Sequence, residues 1–285
     1  MSPTPKPIRI LGLHGMGTSA SILRSQTAAF RAKLPPHITF TFLDAPFFCD
    51  AAPGTDILFA PGTGHRAWWT GADTNAIRGA ARLFAEHLAS DEGPFDIVLG
   101  FSQGCALIAS YLLYLAEENE KARPAFGAAV FVCGGVPLPA LEDLGVDVTD
   151  KAREVNDRTS RGLKKKAGAI VGLAGNLGQI RPGVGLWDDL EGLVHDPEKM
   201  PTEEDVFGLD FTTMPEWLRI RVPAVHVYGA KDPRWPASVQ LAHFCEDRRL
   251  YDHGGGHEIP RTTEVSNRIA ELVMELVGEL EKKAK

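Results

Sequence analysis

The stretch that most constrains this chain is Gly100-Phe101-Ser102-Gln103-Gly104, set between the apolar run Ile97-Val98-Leu99 and the series Cys105-Ala106-Leu107-Ile108-Ala109. A short apolar run ending in a glycine turn reads as a buried strand, and the aliphatic residues after it read as a helix. A serine with glycines two positions away on each side can occupy a sharp strand-to-helix corner. The glycines let the two elements pass closely, and the hydroxyl is left projecting at the end of the sheet. Five residues with two glycines also suit an ordinary turn, so the meaning of Ser102 depends on what the rest of the chain delivers beside it.

Strand-like and helix-like stretches alternate through the first half. Ile8 to Leu13 is apolar around Arg9 and runs into His14-Gly15-Met16-Gly17-Thr18-Ser19, a buried strand feeding a glycine-rich turn. Ser19 can cap a helix from about Ala20 to Leu34, which Pro35-Pro36 stops. Ile38 to Leu43 reads as a second strand, Asp73 or Thr74 to Leu88 as an amphipathic helix, and Phe95 to Leu99 as a third strand. The helix after Ser102 runs to about Glu120, and Ala128 to Cys133 reads as the fourth strand. Arg221 to Gly229 and Arg248 to Tyr251 supply the fifth and sixth, and a helix with Pro260 in its first turn closes the chain. The alternation predicts an α/β fold: a mostly parallel six-stranded sheet with helices on both faces and right-handed crossovers.

Two segments break the alternation. Between Asp44 and Gly71, prolines and glycines are interleaved with Phe47, Phe48, Phe59, Trp68 and Trp69; a loop of this length inside a compact domain tends to be functional. Asp44 itself reads as a turn cap, with substrate contact as the other reading. From Pro137 to Trp217 no strand is legible. Charged helical fragments, the cluster Lys164-Lys165-Lys166, a glycine-spaced piece from Ala167 to Ile180 and the scattered aromatics Trp187, Phe207, Phe211 and Trp217 stand there instead. Residues 137–217 are expected to form a cap or lid over the carboxyl ends of the strands, because their large apolar residues need somewhere to pack; a decorated surface excursion is the alternative. The lysine cluster reads as a solvated helix face, with an acidic docking partner as the other reading.

Composition enters by exclusion. With 44% hydrophobic and 24% charged residues in 285, the chain suits one globular domain spanning 1–285. A net charge of −7 gives no ground for binding nucleic acid or an anionic membrane. Cys49, Cys105, Cys133 and Cys245 are scattered, and three of them sit in apolar runs, so they read as small buried hydrophobes in a reducing compartment. No metal or other cofactor is expected. The proline-rich Met1 to Pro7 lacks the apolar core of a signal peptide, and no run is long enough to cross a bilayer, which makes a cytoplasmic enzyme the expectation.

Open parallel sheets gather ligands beyond the carboxyl ends of their strands. Ser102 ends the third strand, Asp232 follows the fifth in Gly229-Ala230-Lys231-Asp232-Pro233, and His257 follows the sixth in Asp252-His253-Gly254-Gly255-Gly256-His257. The order Ser, Asp, His is that of the α/β-hydrolases. A serine hydroxyl is a poor nucleophile near neutral pH, so His257 would take its proton and Asp232 would hold the imidazole in the right tautomer. His253 competes with His257 as the base, and Asp252 with Asp232 as the acid. Backbone N–H groups of Met16 and Gln103 are the candidates for an oxyanion hole, with Gly17 in reserve. Phe47, Phe48, Trp68, Trp69 and Phe101 lie in or beside the same loops and would suit an apolar acyl chain, core packing being the competing role of each.

Leu13-His14-Gly15-Met16, Ala67-Trp68-Trp69, Gly-Phe-Ser-Gln-Gly, Phe131-Val132-Cys133-Gly134-Gly135, His226-Val227-Tyr228-Gly229-Ala230-Lys231-Asp232 and Gly256-His257 together resemble the FSH family of serine hydrolases. The serine string is shared with acyl-protein thioesterases; the double tryptophan and the long insertion favour FSH. The resemblance covers most of the chain and is weakest in 137–217. It implies an ester or thioester hydrolase, and several fungal members release polyketide acids from carrier-protein thioesters. A small acyl ester or thioester, free or on an acyl carrier protein domain, is the partner so implied. An acyltransferase would use the same three residues, and a ligand-binding protein that kept only the fold is the alternative of another class.

Overall fold

The computed structural model describes residues 6–53, 55, 64–71, 73–90, 92–175, 187–196 and 198–283; Phe59 and the end of the glycine-spaced piece, expected above in a functional loop and in the insertion, lie outside them. Strands β1 (Ile8–Leu13), β2 (Ile38–Leu43), β5 (Ile97–Phe101), β6 (Ala128–Val132), β7 (Ala224–Tyr228) and β8 (Arg248–Asp252) form one six-stranded sheet in the order β2-β1-β5-β6-β7-β8. Every pairing in it is parallel. The chain moves outward from β1 to β2, then returns past β1 to β5 and continues the other way. That reversal opens a crevice at the carboxyl ends of β1 and β5, where open α/β sheets place their sites.

Residues of β5, β6 and β7 are buried at every position, as parallel strands covered on both faces require. One face is covered by α3 (Thr74–Leu88), α4 (Gln103–Glu118) and α7 (Trp235–Phe244), which bury Phe84, Leu113 and Phe244 among others. The other carries α1 (Ala20–Gln26), α2 (Ala28–Arg31) and α8 (Thr263–Lys283), where Phe30, Ile269, Val273 and Leu276 pack on Ile10, Leu99 and Val130. Each such aliphatic side chain contributes about 1.5–3 kcal/mol when buried.

The structure departs from the periodicity in places. The first helix is broken at Thr27, whose hydroxyl donates to Leu23 O at 2.8 Å, a local bond that competes with a continuous helix. The third strand of the sheet begins at Ile97, not Phe95, because Asp96 turns its carboxylate back onto Arg9 N at 2.9 Å. The long loop is not structureless: β3 (Phe47–Phe48) pairs antiparallel with β4 (Arg66–Ala67). The charged fragments of the insertion are α5 (Leu138–Asp143) and one long helix, α6 (Asp150–Gly175), started by Thr149 Oγ1 accepting from Ala152 N. Lys164 and Lys165 are exposed on it, whereas Lys166 is buried and its ammonium donates to Asp189 O. Phe207 and Phe211 find their packing on α7, against Trp235 and Phe244.

Candidate active site

Ser102 stands between the last residue of β5 and the first of α4 with φ 52 and ψ −113. A positive φ in a non-glycine residue costs on the order of 1–3 kcal/mol and persists only where the surroundings impose it. Here the two flanking glycines impose it in different ways. A Cβ on Gly100 would lie 2.6 Å from Cys105 N in the first turn of α4; one on Gly104 would lie 2.2 Å from Leu13 O at the end of β1. The corner is thus pressed against the strand that leads into the Met16 turn.

That turn is locked from within. His14 is fully buried, and Ala45 N donates to its Nε2 at 3.0 Å, so the ring proton sits on Nδ1 and donates to Gly15 O at 2.8 Å. Burial holds the His14 pKa below its ordinary value, and the ring stays neutral. Trp68 lies against the imidazole with its indole N–H donating to His14 O at 2.7 Å, and Thr18 Oγ1 donates to Gly15 O. Gly17 N donates to Arg66 O, fastening the turn to β4. Gln103 completes the enclosure with its side chain: Oε1 accepts from Trp68 N at 3.0 Å and Nε2 donates to Trp69 O at 3.3 Å. Its backbone N–H, at the start of α4, has no carbonyl of its own helix to bond.

Ser102, His257 and Asp232 come together from three strand ends. His257 Nε2 is 3.0 Å from Ser102 Oγ, and His257 Nδ1 is 2.8 Å from Asp232 Oδ2. A carboxylate only accepts, so the imidazole proton lies on Nδ1 and Nε2 is left to accept from the hydroxyl. Asp232 is fully buried, and its other oxygen accepts from Arg234 N at 2.7 Å. The two rivals are occupied elsewhere. Asp252 Oδ1 accepts from Ala230 N and Gly254 N, stitching the acid loop to the base loop, and His253 Nδ1 accepts from Gly255 N. Close approach of these loops needs Gly229, where a Cβ would lie 2.1 Å from Gly255 O. Asp44 caps α1 by accepting from Ala20 N.

The aromatic candidates divide. Phe101 is buried with its ring 5.3 Å from the His257 ring, and Trp68 and Trp69 are buried in the cluster on the face that α3, α4 and α7 cover. Phe47 and Phe48, by contrast, are 43% and 70% exposed, as is Met16 at 55%, and Phe48 lies under the Arg66 guanidinium. Cys133, Asp232 and His257 offer donor atoms within 4.8 Å of one another. Asp232 and His257 are already bonded to each other, and burial first, then the Asp232 charge, push the Cys133 thiol well above its ordinary pKa, so this donor set suits a proton network better than a divalent ion. Sequence reasoning passed over His14 and the side chain of Gln103 as structural groups and Arg234 altogether, and it counted Trp187 only among the scattered aromatics of the insertion; a histidine directly before the turn glycine was the one available signal.

A wholly parallel sheet of this order, carrying a serine at the corner after its central strand, is the α/β-hydrolase fold. The chain belongs to the FSH1 serine hydrolase family, whose model, described as Serine hydrolase (FSH1), matches residues 1–269. It is similar to Esterase FPY3 of Fusarium mangiferae, 29% identical over 258 residues covering 89% of each chain, and to Esterase alnB of Emericella nidulans, 29% identical over 278 residues covering 90% of this chain and 92% of the relative. Hydrolase FUB4 of Fusarium oxysporum is 28% identical over 278 residues, covering 96% of this chain and 100% of the relative. The protein is accordingly an enzyme, a serine hydrolase of the esterase kind. No described helix is long and apolar enough to cross a membrane.

Proposed function

We propose that the enzyme cleaves an ester or thioester of an apolar acyl group through an acyl-enzyme on Ser102. The observation that carries this reading is the unbroken hydrogen-bond chain from Ser102 Oγ through His257 to the buried Asp232. As Oγ bonds to the substrate carbonyl carbon, its proton passes to His257 Nε2, and Asp232 stabilises the imidazolium. The carbonyl oxygen, now negative, is received by the backbone N–H groups of Met16 and Gln103. Collapse of the tetrahedral adduct expels the alcohol or thiol, which leaves with the proton from His257. Water then repeats the sequence, releasing the acid and restoring Ser102.

The acyl group lies along Phe101 and the exposed ledge of Phe47 and Phe48, with Trp68 and Trp69 holding the wall behind it; the ledge is exposed, apolar and on a strand pair that Arg66 O fastens to the Met16 turn, which suits an apolar chain. On the same reading the chain is one domain and the described residues of 137–217 belong to a cap, whose Trp187 ring meets Gly256 next to His257. A carrier-bound thioester, in keeping with the family resemblance, is the substrate form to try first. A fluorophosphonate probe is expected to label the wild type and not Ser102→Ala, with turnover lost about 10⁶-fold in that variant. Undiminished turnover in Ser102→Ala defeats the proposal. A panel of free and carrier-bound acyl esters and thioesters of rising chain length is expected to show kcat/KM climbing with apolar length.

A further inference from the structure

Asp232 is held from behind by a residue that the chemistry of the site does not use. Arg234 is half-buried two positions later, and its Nη1 lies 2.8–3.1 Å from four oxygens: Asn156 O, Asn156 Oδ1, Thr159 Oγ1 and Ser160 Oγ. All four are neutral and belong to successive turns of α6. Burial draws the guanidinium pKa down, and the charge that draws it back up is Asp232. A half-buried cation held by neutral oxygens of one element, with its counter-charge on another, ties the two elements together.

The rest of the insertion grips the same two loops. A Cβ on Gly162 of α6 would lie 3.4 Å from Pro233 Cβ, so the helix crosses directly over the acid loop. Lys231 Nζ pairs with Asp188 at 2.6 Å, and His195 Nε2 donates to Ala230 O at 2.8 Å while its ring stacks on Trp235. On the base loop, a Cβ at Gly256 would fall 1.9 Å from the Trp187 ring.

We infer that Arg234 is a positioning residue that fastens α6 to the acid loop and so fixes the Asp232 carboxylate that orients His257. The inference rests on the roles proposed above for Ser102, Asp232 and His257. Its backbone N–H occupies Oδ1, which leaves Oδ2 for His257 Nδ1; its side chain anchors the loop that presents both oxygens. Arg234 does not reach the serine corner, so loosening it misaligns the imidazole without weakening ground-state binding.

The test compares Arg234→Met, Arg234→Lys and the double variant Asn156→Ala/Ser160→Ala, each confirmed as folded by thermal melting, on one p-nitrophenyl ester. Arg234→Met is expected to lose kcat by tenfold up to ~10²-fold, with KM within about twofold. Arg234→Lys keeps a charged donor, so part of kcat is recovered. The double variant cuts the tie from the helix side and is expected to lower kcat with KM likewise held; it decides the matter if Arg234→Met does not fold. Wild-type kcat in the double variant or in folded Arg234→Met, or a loss confined to KM, overturns the inference. Failure of the underlying hydrolase reading looks different: there Ser102→Ala retains turnover, whatever happens at Arg234.

Discussion

The two halves of the candidate site are built by opposite means. The Ser102 corner and the Met16 turn are made from residues close to their own strand ends, with two glycines, a neutral buried histidine and a double tryptophan locking backbone against backbone. The acid and base loops are held from a distance, by α6 and residues 187–195 of the insertion, through Arg234, Lys231, Ala230 and Gly256. The lesson is that the Ser102 side is locked by the central sheet and the β3–β4 loop beside it, whereas the Asp232 and His257 side is aligned by the insertion.

The largest effect expected on that second half is Asp232→Asn. The wrong tautomer of His257 becomes favoured, and kcat should fall by about 10⁴-fold with the fold intact by circular dichroism; a loss under tenfold would place the orienting acid elsewhere. On the first half, Gly104→Val drives side-chain atoms into Leu13 O, and a stability loss of roughly 3 kcal/mol or more in urea unfolding is expected. A well-folded, active Gly104→Val would show that the corner is looser than its contacts imply.

Acid sharpens the comparison through the sheet itself. Burial lowers the His226 pKa to about 3 and also lowers that of His14, so both are neutral when folded and take up protons when unfolded. For His226 the contribution to stability is fully present above the unfolded pKa near 6.5. It fades as pH falls from there toward the folded value, by at most ~1.4 kcal/mol per pH unit. Urea midpoints measured from pH 7 to 4 should decline, and a flat profile would refute the neutral buried imidazole. The smallest effect belongs to Lys231→Ala. Its pair with Asp188 is more than a third exposed, so a change within about 0.5 kcal/mol is expected; a larger one would mean that the rim of the insertion carries alignment that Arg234 is credited with here.

Much of the site was legible in the order of residues. Gly-Phe-Ser-Gln-Gly announces its corner because only glycine tolerates the close approaches found at Gly100 and Gly104, and Ser102, Asp232 and His257 each sit where a glycine or proline turn ends a strand. What was not legible depends on partners far away in the chain. The aromatic residues of the long loop are chemically alike in sequence, yet Trp68 is drawn in by its bonds to His14 O and Gln103 Oε1 and Trp69 by its bond to Gln103 Nε2, while Phe48 is out in solvent against the Arg66 guanidinium. The lysine cluster splits for the same kind of reason: α6 turns Lys166 inward to Asp189 O and leaves Lys164 and Lys165 outside.

Local steric demands, hydrophobic period and strand-end chemistry were enough to specify the parallel sheet, its serine corner and the two loops from which the candidate acid and base come. Tertiary structure alone decided that Asp252 stitches loops while Asp232 meets the imidazole, and that a half-buried arginine on the acid loop is answered by a helix more than seventy residues earlier. Those choices turn on which groups meet in space, and a hydrogen bond between distant segments leaves no periodicity behind in either of them.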